Sequence, residues 1–545
     1  MISEHSLWVD KMQDFAGALR QEAEAPEIAR PQTVCLVDHD RLEREFLHRK
    51  ADNELCGLGS DDERLKFETA RQALRSFGVS DRETEQAYQN FQRQTQPAPA
   101  FRRKTQQPGS RGEISYEQFV AGFYNLGSNT NFITMFDRSF IFLDNKEKNM
   151  AASGKIMFSG ISPELREALD GVDIFEVSKK RGLYHEAVHC TGTDNEAYCD
   201  AFACLKIVQE HSNPAIADFL ANARLNGMMY PLAVMSARLR SGDKEGADKW
   251  RSYIMNPALK QIKNHTRSLW RDGKLSALSN RELLAEARKI SQTAQYSPEA
   301  MRELDEALAA PLTFESLKNT TVIKDTFALA GIADEQAQKR FLEDGLIYNG
   351  MFRVLCDGGK DIEKEVLNHP QRREQARRIM REWGMDEERQ REFLNRNRQT
   401  ENNNDAEKKL LLLRGQKFIN EEGDTLKKQY PGLSLRELQY QLTHRFIDYN
   451  LEQISAVGSR FRQNPRLYFD RTETGKSSSL CSLYLQQAAT ATEIVNDCLA
   501  GHNRSFAGKH SAKEQESRLP LYEYTYPHIS KPSAAGKTIA DQLEK

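Results

Sequence analysis

A chain of 545 residues is long for a single core, and 39% hydrophobic against 29% charged residues is wet for a globular protein. The formal net charge of −2 provides no global attraction for nucleic acid or an anionic membrane surface. The longest purely aliphatic run, residues 410–413, is far too short to span a bilayer, so no integral membrane segment is expected.

Glu4, Asp10 and Asp14 interrupt the apolar residues of the N-terminus, which therefore does not read as a signal peptide. Eight cysteines scattered over the whole length read as reduced thiols rather than a disulfide framework. The expected location is cytoplasmic, or outside the cell by export without a cleaved N-terminal signal peptide.

Residues 1–90 read as an N-terminal helical region, in which Asp61 and Asp62 open a pattern of Leu65, Phe67, Ala70, Ala73, Leu74 and Phe77 near helical spacing. Residues 91–112 turn to Gln, Arg, Pro and Ser and read as a linker, with too few apolar groups to repay ordering. Residues 113–240 contain the one credible sheet. There, 132–143 (FITMFDRSFIFL) predicts one or two strands, and 155–158 and 172–177 are shorter extended candidates. Residues 241–394 predict a helical domain, with a helix start at Ser279-Asn280-Arg281-Glu282. Its basic stretch at 372–383 is broken by Glu374 and Glu382, which suits a solvated face better than a nucleic-acid stripe. Residues 395–405 (NRNRQTENNND) read as a second linker, 406–502 as a C-terminal helical region with a start at Ser434-Leu435-Arg436-Glu437, and 503–545 as a disordered tail. The expected fold class is mainly α, a multidomain helical protein with a small α+β core.

The chemistry concentrates in YHEAVHCTGTDNEAYCDAF, residues 184–202. His185 and His189 stand four apart, so on a helix both imidazoles share a face and can reach one ion. Glu186 projects from a neighbouring angle, where it can meet a water beside that ion. The arrangement is H-E-x-x-H, two zinc ligands and a general base. Gly192 is placed to end the first helix and Asp194 to cap a second, with Glu196 in its first turn as third ligand. Asp200, four residues on, can accept the free ring N–H of a ligand histidine.

On these residues the segment resembles the zincin metallopeptidases, and within them the gluzincin arm, in which H-E-x-x-H is followed by E-x-x-x-D. Asn195-Glu196-Ala197-Tyr198-Cys199-Asp200 is similar to the N-E-x-x-S-D segment of thermolysin-like enzymes, with Cys199 in place of Ser and a much shorter link between the two halves. That short link is closer to compact zincins, including the bacterial antirepressor-cleaving type, and Phe202 and Ala203 fit their second helix. The resemblance covers about residues 130–240. It implies a zincin-like catalytic core with Zn²⁺ on His185, His189 and Glu196, Glu186 as general base and Asp200 as the partner of a ligand histidine.

The metzincin pattern H-E-x-x-H-x-x-G-x-x-H/D is followed as far as its last position, where Asn195, a poor zinc ligand, stands. Met228 and Met229 could be read as a Met-turn but suit core filling. Tyr184, His211, Arg224 and Tyr230 are candidates to stabilise an oxyanion. Cys190, Cys199 and Cys204 offer an alternative His/Cys structural site. The expected function is zinc-dependent endopeptidase action on a protein or peptide substrate, with the strand region 132–143 as the edge along which the substrate pairs. The alternative is a helical interaction or scaffold protein whose zincin-like site is structural or inactive.

Overall fold

The computed structural model of the chain describes residues 4–22, 33–58, 61–93, 114–126, 131–145 apart from 136, 162–345 apart from 294, 311 and 312, 386–464, 467 and 471–507, with isolated positions between 374 and 381. In chain order the elements are α1 (Glu4–Glu22), β1 (Thr33–Asp38), α2 (His39–Leu55), α3 (Asp62–Ser76), α4 (Asp81–Arg93), α5 (Tyr116–Asn125), β2 (Asn131–Met135), β3 (Arg138–Leu143), α6 (Pro163–Ala168), α7 (Ile174–His189), α8 (Glu196–His211) and α9 (Ala215–Arg240). They continue with α10 (Lys244–Asp248), α11 (Asn256–Arg271), α12 (Asn280–Thr293), α13 (Pro298–Ala309), α14 (Phe314–Leu317), α15 (Thr321–Ala330), α16 (Glu335–Gly345), α17 (Glu387–Gln429), α18 (Leu435–Gln463), α19 (Arg471–Ala489) and α20 (Ala491–Ala507). The protein is mainly α with one small mixed sheet.

Helices begin where the sequence carries start signals. Asp61 caps α3 by accepting from the Arg64 N–H, and Ser279 and Ser434 exchange reciprocal bonds with Glu282 and Glu437. The region 132–143 forms the hairpin β2–β3 as expected. Four expectations differ. The N-terminal region is not all helix, because residues 33–38 (TVCLVD) form β1, parallel to β3. The candidate strand at 172–177 is the start of α7, because the Asp173 carboxylate accepts from the Phe175 and Glu176 N–H groups and turns the β-branched residues after it into the buried face of a helix. The linker expected at 395–405 is helical within α17, since that stretch is polar but contains neither Pro nor Gly to stop it. Residues 503–507, expected to belong to a disordered tail, are the end of α20. The segments 94–113 and 508–545 and the extended candidate at 155–158 lie outside the described residues.

The sheet order is β1-β3-β2, with Cys35 opposite Phe140 in the parallel pair and Ile133 opposite Phe140 in the antiparallel one. Strand alternation divides the buried side chains between two cores. Val34, Leu36, Ile141 and Leu143 face the large core built on α1, α7, α8, α9 and the helices that follow. Cys35, Val37, Phe140 and Phe142 face a second core under α2, α3 and α5. A third core joins Leu47 and Ala51 on the outer side of α2 to α17–α20.

One sheet edge is closed by α1. Gln13 donates to the Val34 carbonyl at 2.5 Å and accepts from the Leu36 N–H at 2.7 Å, which copies the bonds of a neighbouring strand. The other edge is β2. Helix α7 packs against β2 and β3, which fixes the distance between the sheet and the H-E-x-x-H residues.

Candidate metal centre

Two short reversals place the chemistry. After His189, the Thr191 N–H donates to the Val188 carbonyl at 2.9 Å and the Gly192 N–H to the His189 carbonyl at 3.0 Å. Gly192 sits at φ +94°, a conformation side chains resist, and turns the chain out of α7. Asn195, rather than the expected Asp194, caps α8, its side-chain oxygen accepting from the Tyr198 N–H at 3.0 Å. Residues 190–195 therefore lay the first turn of α8 against the last turn of α7.

This brings His185, His189 and Glu196 together. The two Nε2 atoms lie 3.2 Å apart, and the Glu196 carboxylate oxygens lie 3.3 Å from His185 Nε2 and 3.8 Å from His189 Nε2. Donors bound at about 2.0–2.2 Å to one tetrahedral ion stand about 3.3–3.5 Å apart, so the spacing suits such an ion. A second set shares the imidazoles: ligand atoms of His185, His189 and Cys199 all lie within 4.8 Å of one another, and this buried group could hold a metal ion.

The far sides of both rings are spoken for. His185 Nδ1 donates to Asp200 Oδ1 at 2.8 Å, and His189 Nδ1 donates to the Thr193 carbonyl at 2.9 Å. Both acceptors lack hydrogens, so each Nδ1 carries a proton and each ring turns its Nε2 inward, where a neutral ring offers a lone pair. Asp200 thus stands where the sequence reading put it, beside a candidate ligand histidine.

Two arginines complete the cluster. Arg224, reaching in from α9, donates to Glu196 Oε2 at 2.8 Å and lies 2.9 Å from Asp200 Oδ2. Arg181, one turn before His185 on α7, donates to Asp200 Oδ1 at 3.0 Å. Arg224 also stacks over Tyr253, 5.7 Å from the ring centre. Arg181 and Tyr253 were not singled out from sequence. Arg181 carried a local signal, the i, i+4 spacing to His185; Tyr253 carried none.

Burial and charge set the protonation states. Burial works against a charge on His185, but Asp200 and Glu196 outweigh it and raise its pKa to about 9. His189 is lowered, by burial and then by the neighbouring His185 charge. In the metal-free protein His185 is therefore the ring that holds the extra proton, on the Nε2 that faces Glu196 and His189. Glu196 is lowered to about 2: burial opposes its charge, and the His185 hydrogen bond and charge, with Arg224 and His189, overcome that. Asp200 is held well below the usual carboxylate range, because Arg224, Arg181 and His185 outweigh its burial. Glu186 is pushed up to about 7, by burial and by Glu196 against the opposing charges of His185, Arg181 and Arg224. Burial, with the acids around it, raises the Cys199 thiol well above its ordinary value.

The remaining candidates fall elsewhere. The Tyr184 hydroxyl donates to Glu210 at 2.8 Å, and His211 closes α8, about 22 Å along the helix from Glu196 at 1.5 Å per residue. Tyr230 packs edge-on to Trp250 at 5.3 Å. Met228 and Met229 are core residues inside α9 and make no turn. Cys190 neighbours Ser139 and Cys204 neighbours Thr266, and no cysteine among the described residues is in a disulfide. Of the four oxyanion candidates, only Arg224 reaches the cluster. No described helix is long and apolar enough to cross a membrane. Compared with family models, curated proteins and solved structures, the chain matches none.

Proposed function

We propose that the protein is a zinc-dependent metalloendopeptidase of the zincin type, gluzincin-like in its ligand set, acting on a protein or peptide substrate. The observation that carries this reading is the convergence of His185 Nε2, His189 Nε2 and the Glu196 carboxylate at 3.2–3.8 Å, with both Nδ1 atoms anchored behind them. These residues fit a divalent ion: two neutral imidazoles and one anionic oxygen, on two helix ends fixed by Gly192 and Asn195. Zinc held there supplies a Lewis acid that polarises a carbonyl and acidifies water.

The rest is the work of this chain's residues. Glu186, next to the first histidine on α7, would take a proton from the attacking water and return it to the leaving amine. Asp200 and the Thr193 carbonyl hold the two rings in the tautomer that leaves Nε2 free. Arg224 fixes the Glu196 carboxylate beside the imidazoles. Because Gln13 occupies the β1 edge, β2 is the edge along which an extended substrate pairs.

The experiment is a comparison of the parent with Glu186→Gln. New protein N-termini generated in a mixed protein extract should fall by about 10²–10⁴-fold in rate while zinc content stays unchanged. Equal cleavage by the two proteins would refute the assignment of Glu186. One observation favours a second reading, a helical interaction protein with a structural site: Cys199 lies close enough to both imidazoles to be a protein ligand. On that reading neither protein cleaves, and both hold zinc.

A further inference from the structure

The third and fourth positions around the imidazoles are contested by two side chains of one helix. Glu196, Cys199 and Asp200 are spaced i, i+3 and i+4 on α8 and share the face turned to α7. Cys199 is fully buried, and its sulfur lies within 4.8 Å of ring nitrogens of both His185 and His189. The Nδ1 atoms are occupied by Asp200 and Thr193, so the nitrogens open to a shared ion are the Nε2 pair. The sulfur and one nitrogen of each ring all lie within 4.8 Å of one another, a grouping that could hold one ion.

The charges around the site favour a further anionic ligand. Glu196 and Asp200 are the nearest carboxylates, and both are already matched by guanidinium groups: Arg224 touches each of them and Arg181 touches Asp200. A dication facing carboxylates so neutralised lacks the full charge they would otherwise provide. A thiolate from Cys199, on the same face of α8, would supply it.

We propose that Cys199 is a fourth protein ligand, so that the resting ion is held by His185, His189, Glu196 and Cys199 and is closed to water until the sulfur leaves. This rests on the zinc reading of the same site and adds a latent state to it. In the closing step the S–H bond breaks, the sulfur electron pair forms the metal–sulfur bond, and the proton departs to bulk water. Nothing is oxidised. Opening reverses it, with a proton returning to sulfur as water takes the vacated position. Four protein ligands are the mark of a structural site and three of a catalytic one, and a departing cysteine converts the first into the second.

The full-length protein loaded with Co²⁺ in place of zinc tests this by absorption spectroscopy. Visible ligand-field bands report that the ion is held by the site, and a near-ultraviolet thiolate-to-cobalt band reports sulfur bonding. The parent should show both. Cys199→Ala and Cys199→Ser should lose the near-ultraviolet band and keep the ligand-field bands, while Cys204→Ala, a second buried cysteine on the same helix, should keep both. Ligand-field bands without a sulfur band in the parent, or a sulfur band that survives in both Cys199 variants, would overturn the cysteine ligand and leave the metal centre standing. If the parent shows no ligand-field bands, or if they persist in a His185→Ala, His189→Ala double variant, the metal reading falls and takes the proposal with it.

Discussion

Glu196, Asp200 and Asn195 sit within six residues of one another and have three separate jobs, which substitution can separate. Glu196→Gln replaces an anionic oxygen 3.3 Å from His185 Nε2 by a neutral amide facing a dication, and should weaken zinc binding more than any neighbouring change. Asn195→Ala removes a helix cap and should cost about 1 kcal/mol of stability with little change in affinity. Asp200→Asn frees the ring of His185 and should lower affinity by about 10- to 100-fold. Competition with a chromogenic chelator ranks the three, and parent-like affinity in Glu196→Gln would remove Glu196 from the ligand set.

The same residues give the metal-free protein a definite pH response. His185, raised from 6.5 to about 9, contributes stability that is complete below 6.5 and is lost as pH rises through 9. Glu186, raised from 4.5 to about 7, costs stability progressively as pH rises from 4.5 through 7, since its ionised form is disfavoured in the folded state. Glu196, lowered from 4.5 to about 2, contributes stability present above 4.5 and lost as pH falls through 2. Zinc-free protein should therefore melt at a higher temperature at about pH 5 than at about pH 9. Zinc must displace the extra proton on His185, and a further one from Cys199 when that thiol binds, so affinity should rise by at least about tenfold per pH unit below about 9. Calorimetry across that range checks both, and a pH-independent affinity would contradict an extra proton on His185.

At the scale of elements, the reversal between α7 and α8 is the feature on which the site most depends. Ala at position 192 would have to adopt φ +94°, so Gly192→Ala should cost about 1–2 kcal/mol and weaken zinc binding by displacing Glu196 from the histidines. Thermal melting and chelator competition measure the two effects together. This part was readable from sequence because its contacts are local: i, i+4 spacing aligns His185 with His189 and Glu196 with Asp200, and glycine marks the turn. Arg224 stands 24 residues beyond Asp200, with nothing local to connect them, and only the packing of α9 on α8 brings it in. The strand β1 escaped for a different reason. With both faces covered, TVCLVD shows no polar alternation, and a short apolar run reads equally as helix or strand. The linker expected at 395–405 is helical because polar composition limits what a helix can bury but does not stop it from forming.

At the scale of the whole molecule, three cores separate what holds the site from what surrounds it. The candidate centre belongs to the large core, while α17–α20 close a different one against α2. Phe446 is fully buried in that third core, and Phe446→Ala should cost about 3–5 kcal/mol there, seen as earlier melting of the C-terminal helices, with zinc content unchanged.

The most direct test of the central claim is zinc content per chain after exhaustive dialysis, measured on the parent, Glu186→Gln and the His185→Ala, His189→Ala double variant. The account predicts about one zinc per chain in the parent and in Glu186→Gln, and essentially none in the double variant, as expected for a single site built on these two imidazoles. Zinc retained in full by the double variant, or missing from the parent, would contradict it.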